Sequence, residues 1–101
     1  MKTGIELITE ERERQIKIEG WTEEHDKQWN KGELARAAAC YIAEDIPNAE
    51  VIIHFSNEYY ENAFPWDNEW WKPTNNPVRN LQKAGALIAA EIDRLQALVK
   101  E

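Results

Sequence analysis

Residues 77–100 read PVRNLQKAGALIAAEIDRLQALVK, and this stretch decides the class of fold. Leu81, Ala84, Gly85, Ile88, Ile92, Leu95 and Val99 recur at steps of three and four, the period of one helical face. Asn76 suits the N-cap, and Pro77 suits the first helical position, where its missing N–H leaves no bond unmade. A helix of roughly 24 residues spans about 36 Å. In so small a domain it should be the spine on which two earlier helices pack. Leu87 and Leu98 widen its apolar face, which points to a second neighbour: a symmetry mate in a homodimer or a higher homo-oligomer.

Immediately before this helix, residues 64–79 read FPWDNEWWKPTNNPVR and hold three of the five tryptophans. Pro65 pins Trp66, and Pro73 follows Trp71 by two. Prolines fix their own φ and push the preceding residue towards extended backbone, so a stiff, irregular loop is expected. Such a loop can cap a small core, or it can stack a planar ring on Trp66, Trp70 and Trp71 while Lys72 and Arg79 neutralise phosphate. Arg79 falls in the first turn of the long helix, where free N–H groups and the helix dipole also favour an anion.

Working back, Thr3 and Glu6 have the spacing of a capping box for a helix over about 4–19, stopped by Gly20. Its apolar face begins with Ile5 and Ile8 and continues, unusually, into Arg12 and Gln15. Either Arg12 reaches out to a carboxylate, or Arg12 and Gln15 face a polar ligand cavity. Thr22-Glu23-Glu24 reads as a further helix start or a single turn. His25-Asp26 lies between Trp21 and Trp29. Adjacent helical residues point in different directions, so this pair reads first as a local hydrogen bond and only second as a metal ligand or general base. A helix over about 31–45, with Asn30 as its cap, carries Leu34, Ala37, Ala38, Tyr41 and Ile42 on one face. Residues 46–76 are expected to be irregular. Within them VIIHF has strand-like composition but no evident partner, so a short helix or ordered loop is preferred; His54 reads as a core or surface histidine.

The resulting expectation is an all-α, compact three-helix domain spanning residues 1–101, with a Trp/Pro-rich loop before its long last helix. Nineteen acidic against twelve basic residues give a net charge of −7. That opposes a general nucleic-acid surface, which needs a basic face, and attachment to anionic membranes. Cys40 is the single cysteine. In AAACYI it reads as a small buried hydrophobe. The N-terminus has no signal-peptide core and no stretch reaches membrane-span length, so a soluble, cytoplasmic protein is expected.

ERERQI, GWTEEHD, GELARAAACYI, PWDNEWWKP and KAGALIAAEIDRL resemble the motifs of a family of small proteins encoded by phages and prophages, of unassigned activity. The resemblance covers most of the chain apart from residues 44–62 and the extreme termini. It implies a phage or prophage origin and the cytoplasm of a host cell, and it brings no catalytic mechanism with it.

Two classes of function follow. The first is a binder that sequesters a nucleotide-type small molecule, such as a nucleotide-derived host immune signal, in the manner of a phage anti-defence sponge. Trp66, Trp70 and Trp71 would stack, Lys72 and Arg79 would hold phosphate, and Arg12, Gln15 and Trp21 would support. It needs no catalytic residue and no cofactor. The second is a Mg²⁺-dependent hydrolase resembling the all-α nucleoside triphosphate pyrophosphohydrolases, which gather carboxylates around the metal. Glu10, Glu13, Glu33 and Glu91 are its candidates, although Glu91-Ile92-Asp93 lacks the expected second E-x-x-D spacing. A third reading is a phage inhibitor that binds a host protein through the tryptophan loop.

Overall fold

Four α-helices occur among the described residues: α1 (Gly4–Lys17), α2 (Glu23–Asp26), α3 (Glu33–Ala43) and α4 (Pro77–Lys100). The computed structural model describes residues 1–47 and 64–100, together with the backbone of His54–Phe55 and Glu58–Tyr59. The fold is all-α, and α4 is the spine against which α1 and α3 both pack.

Local chemistry explains most of the helix ends. Thr3 and Glu6 form the expected capping box, with bonds of 3.0 and 3.2 Å in the two directions. Thr22 caps α2, its hydroxyl accepting from the His25 N–H. Asn76 Oδ1 accepts from the Val78 N–H at 3.0 Å and opens α4. Three boundaries differ from expectation, one of them the end of α3, which falls at Ala43 rather than near 45. α1 stops at Lys17, because the chain turns back through Gly20 at φ 76° and the Trp21 N–H bonds the Gln15 carbonyl. α3 begins at Glu33 rather than near 31, since Gly32 occupies the cap in a left-handed conformation that an Asn30 cap does not require. Asn30 is therefore not the cap.

The segment expected to be helix or loop contains instead a minimal antiparallel ladder, His54–Phe55 against Glu58–Tyr59. The partner of His54–Phe55 is Glu58–Tyr59, with His54 opposite Tyr59 and Phe55 opposite Glu58. The side chain of His54 and the rest of 48–63 lie outside the described residues.

α3 buries the face its period predicts: Leu34, Ala37, Ala38 and Tyr41, with Cys40 also fully enclosed. α4 does not. Its buried positions are Asn80, Ala84, Ala86, Leu87, Ala90 and Arg94, whereas Leu81, Ile88, Ile92, Leu95 and Val99 are exposed. The cause is helix-to-helix distance. Alanines on α4 meet alanines on α3, which lets the two backbones approach closely, and the bulkier residues are left outside. Burial of Leu34 and Leu87 stabilises the contact by about 1.5–3 kcal/mol each. On the other flank, Ile8 of α1 rests on Gly85, and Gln82 Nε2 donates to the Leu7 carbonyl at 2.7 Å.

The tryptophan loop is fastened at two buried points. Asn80 satisfies all its polar capacity there: Oδ1 accepts from the Thr74 N–H and hydroxyl, and Nδ2 donates to the Thr74 carbonyl and to Asp45. Tyr41 Oη accepts from the Lys72 N–H at 3.1 Å and donates to the Trp70 carbonyl. Phe64, Trp66 and Trp71 then lie over the Tyr41–Leu87 core, with Trp71 4.7 Å from the Tyr41 ring. Among the described residues no helix is long and apolar enough to cross a membrane.

Candidate binding site

The site begins with a polar face on α1. Glu11, Arg12 and Gln15 are all buried, at 2%, 9% and 2% exposure, while Ile5 and Ile16 on the same helix are exposed. Such an inversion is costly unless most of the buried polar groups find partners. Arg12 finds them inwards: Nη2 lies 3.3 Å from Asp26 and Nη1 donates to the Trp21 carbonyl at 3.1 Å. It does pair with a carboxylate, but inwards rather than out in solvent; it lines neither cavity described below, and it ties α1 to α2 while its Nε stays without a hydrogen-bond partner among the described residues.

Glu11 is the centre of a second network. It accepts from Arg14 Nε and Nη2 at 2.8 and 3.0 Å and from Arg79 Nη1 at 2.7 Å. Burial pushes its carboxyl up, but the hydrogen bonds and charges of Arg14 and Arg79 outweigh that and hold it below the ordinary range. The same bonds to Glu11 raise Arg14.

A cavity of about 230 Å³ opens beside this network, between α1, α4 and the tryptophan loop. Arg14, Lys72, Arg79 and Lys83 line it and outnumber its carboxylates, Glu11 and Glu19. The local charge is thus positive on a protein whose net charge is −7. Burial lowers the Lys83 pKa, and repulsion from Arg79, Arg14 and Lys72 lowers it further against the pull of Glu11. Lys83 donates to the Lys72 carbonyl at 2.6 Å and lies over the Tyr41 ring, while the Lys72 ammonium lies 5.8 Å from the Trp70 centroid. Neither lysine has a carboxylate partner among the described residues. Two further atoms stand open: Gln15 Oε1 and Trp66 Nε1 are buried without a hydrogen-bond partner among the described residues, and both residues line this cavity.

A second cavity, of about 360 Å³, shares Trp21, Trp66 and Trp70 with the first and adds Trp29, His25 and Asp67. His25 Nδ1 lies 3.0 Å from Asp26 Oδ1, so the expected local pair is present, with Asp26 itself buried and held by Arg12.

The structure therefore brings together Gln15, Trp21, Trp66, Trp70, Lys72 and Arg79 of the expected site. It takes Arg12 into the α1–α2 contact and Trp71 into the cap of the core. Glu11, Arg14 and Lys83 escaped sequence reasoning. Glu11 lies one turn beyond Ile8 and one turn before Gln15, so its place on the buried face was readable from spacing; Lys83, on α4, was hidden by the misplaced apolar stripe. The carboxylates of the hydrolase reading do not converge. Glu10 pairs with Lys2, Glu13 is exposed, Glu33 accepts from the Lys31 N–H, and Glu91 holds Arg94. No group of three or more metal-binding side chains occurs among the described residues. No family model, curated protein or solved structure matches the chain.

Proposed function

We propose that this protein is a small-molecule binder whose cationic cavity takes an anionic, nucleotide-type ligand, and that it acts by sequestration. The observation that supports this reading is the coincidence of Gln15 Oε1, a buried acceptor, with Trp66 Nε1, a buried donor, in a cavity walled by four cations. An unpaired buried polar atom costs about 1–3 kcal/mol, and a ligand that presents one donor and one acceptor relieves both. A nucleobase edge has that pattern, and phosphate suits Lys72, Arg79 and Lys83. The half-exposed Trp70 indole offers one face for stacking. Sequestration needs affinity alone, which fits a site whose nucleophiles and carboxylates do not cluster. The phage resemblance gives it a purpose, the removal of a nucleotide-derived immune signal in the host cytoplasm.

The test is to incubate the purified protein with nucleotides, cyclic nucleotides and ADP-ribose-type molecules, remove free ligand, denature by heat and identify what is released by mass spectrometry. Recovery of an intact nucleotide, with affinity falling about 10–100-fold in Lys83→Ala, is the expected result. Products in place of the input would move the assignment to a hydrolase, and retention of no nucleotide would end this reading.

Self-association belongs to the same proposal. The exposed Leu81, Ile88 and Leu95 repeat every seven residues, and Ile92 and Val99 do so between them, the spacing of a coiled-coil seam. A second copy presents the matching seam. Ile92→Asp should convert a dimer to a monomer in sedimentation analysis.

A further inference from the structure

We propose that the larger, aromatic cavity is a distinct site for a compact organic cation, of the quaternary or methylated ammonium class. Trp21, Trp29, Trp66 and Trp70 all line it. None of the three tryptophan pairs that touch forms a parallel slot for a flat ring. A sandwich needs two parallel faces about 7 Å apart, yet Trp29 and Trp66 are inclined by 57° at 5.3 Å between centroids, Trp21 and Trp66 by 43° at 6.5 Å, and Trp21 and Trp70 by 61° at 6.2 Å. Inclined walls surround a rounded group, and indole faces carry the negative potential that attracts a cation.

The polar groups have the same sign. Asp67 is an exposed carboxylate at the cavity wall. Asp26, with Arg12 on its other oxygen, accepts the Nδ1–H of His25, which leaves His25 Nε2 as an acceptor in the neutral imidazole. Among the described residues no lysine or arginine lines this cavity, in contrast with its neighbour across Trp66. The two cavities thus select opposite charges, and this inference stands apart from the nucleotide reading because it concerns other walls and other probes.

The experiment uses the full chain at pH 8 with tetramethylammonium, choline and 3,3-dimethyl-1-butanol, the uncharged isostere of choline. Binding is followed by tryptophan fluorescence and calorimetry. The two cations should bind about tenfold or more tightly than the neutral isostere. Asp67→Asn should weaken the cations several-fold and leave the isostere unchanged; Asp67 is exposed, so far-UV circular dichroism should show an intact fold. Trp29→Leu should abolish binding of the cations. Equal binding of choline and its neutral isostere would reduce the site to an apolar hollow and overturn the proposal. Failure of both cations to bind the wild-type chain would also overturn it.

Discussion

Ile8 is seated on the bare backbone of Gly85: a methyl group at position 85 would lie 2.6 Å from Ile8 Cδ1 and 2.7 Å from Cγ1. An alanine in a helix interior is ordinarily about 1 kcal/mol better than glycine. Here three of the side-chain carbons of a stiff, β-branched residue would have to move, so Gly85→Ala should destabilise by about 1–2 kcal/mol. In an Ile8→Ala background the same change should become neutral or stabilising. Urea denaturation of the four variants measures the coupling directly.

Glu11 should impose an acid limit. Its folded pKa lies below the ordinary 4.5, so it contributes stability that is fully present above the unfolded value and is lost as pH falls through the folded one. Urea midpoints should hold from neutral pH to about 5 and decline below it. Glu11→Gln should lower stability at pH 7 by about 3 kcal/mol, since it leaves Arg79 without its counter-ion and Arg14 with Glu19 alone, and should flatten the acid decline.

Asn80→Ala should loosen the tryptophan loop more than it disturbs α4. Four hydrogen bonds end on this side chain, three of them to Thr74 and one to Asp45. Their loss leaves the half-buried Thr74 groups without partners, at a cost of about 1–3 kcal/mol. Near-UV circular dichroism of the indoles should weaken while far-UV ellipticity at low temperature is nearly unchanged. An equal loss of both signals would show that the loop has no local stability of its own.

Cys40 offers a clock for unfolding. Burial pushes its thiol up to about 11 against the weaker effect of Arg36. At pH 8 a disulfide reagent should therefore label the native protein slowly, and the labelling rate should rise with urea in step with global opening.

The helical period made α3 and the existence of α4 legible, because each has a long, consistent pattern, and α4 also has a chemically plain start at Asn76 and Pro77. The rotation of α4 about its axis was not. Periodicity ranks faces by hydrophobicity, and the large residues Leu81, Ile88, Ile92 and Leu95 outrank the alanines that close packing against α3 in fact selects. Of the site, the conjunction of loop tryptophans with Lys72 and Arg79 could be read from proximity in sequence. Glu11's place on the buried face follows from its spacing to Ile8 and Gln15, but its pairing with Arg14 and with Arg79, 68 positions away, does not. His25-Asp26 was legible as a local hydrogen-bonding pair, whereas Arg12 on the other carboxylate oxygen was not.

Trp66 packs on the core, touches Trp21, Trp29 and Phe64, and stands in the wall of both cavities. One side chain therefore belongs both to the core and to the walls of the two cavities. Substitutions that retune ligand preference at this position would be filtered first by whether the molecule still folds, whereas Trp70 and Asp67, out at the rim, are under no such double jurisdiction. Divergence in what such a protein captures should accumulate at the rim and leave Trp66 in place.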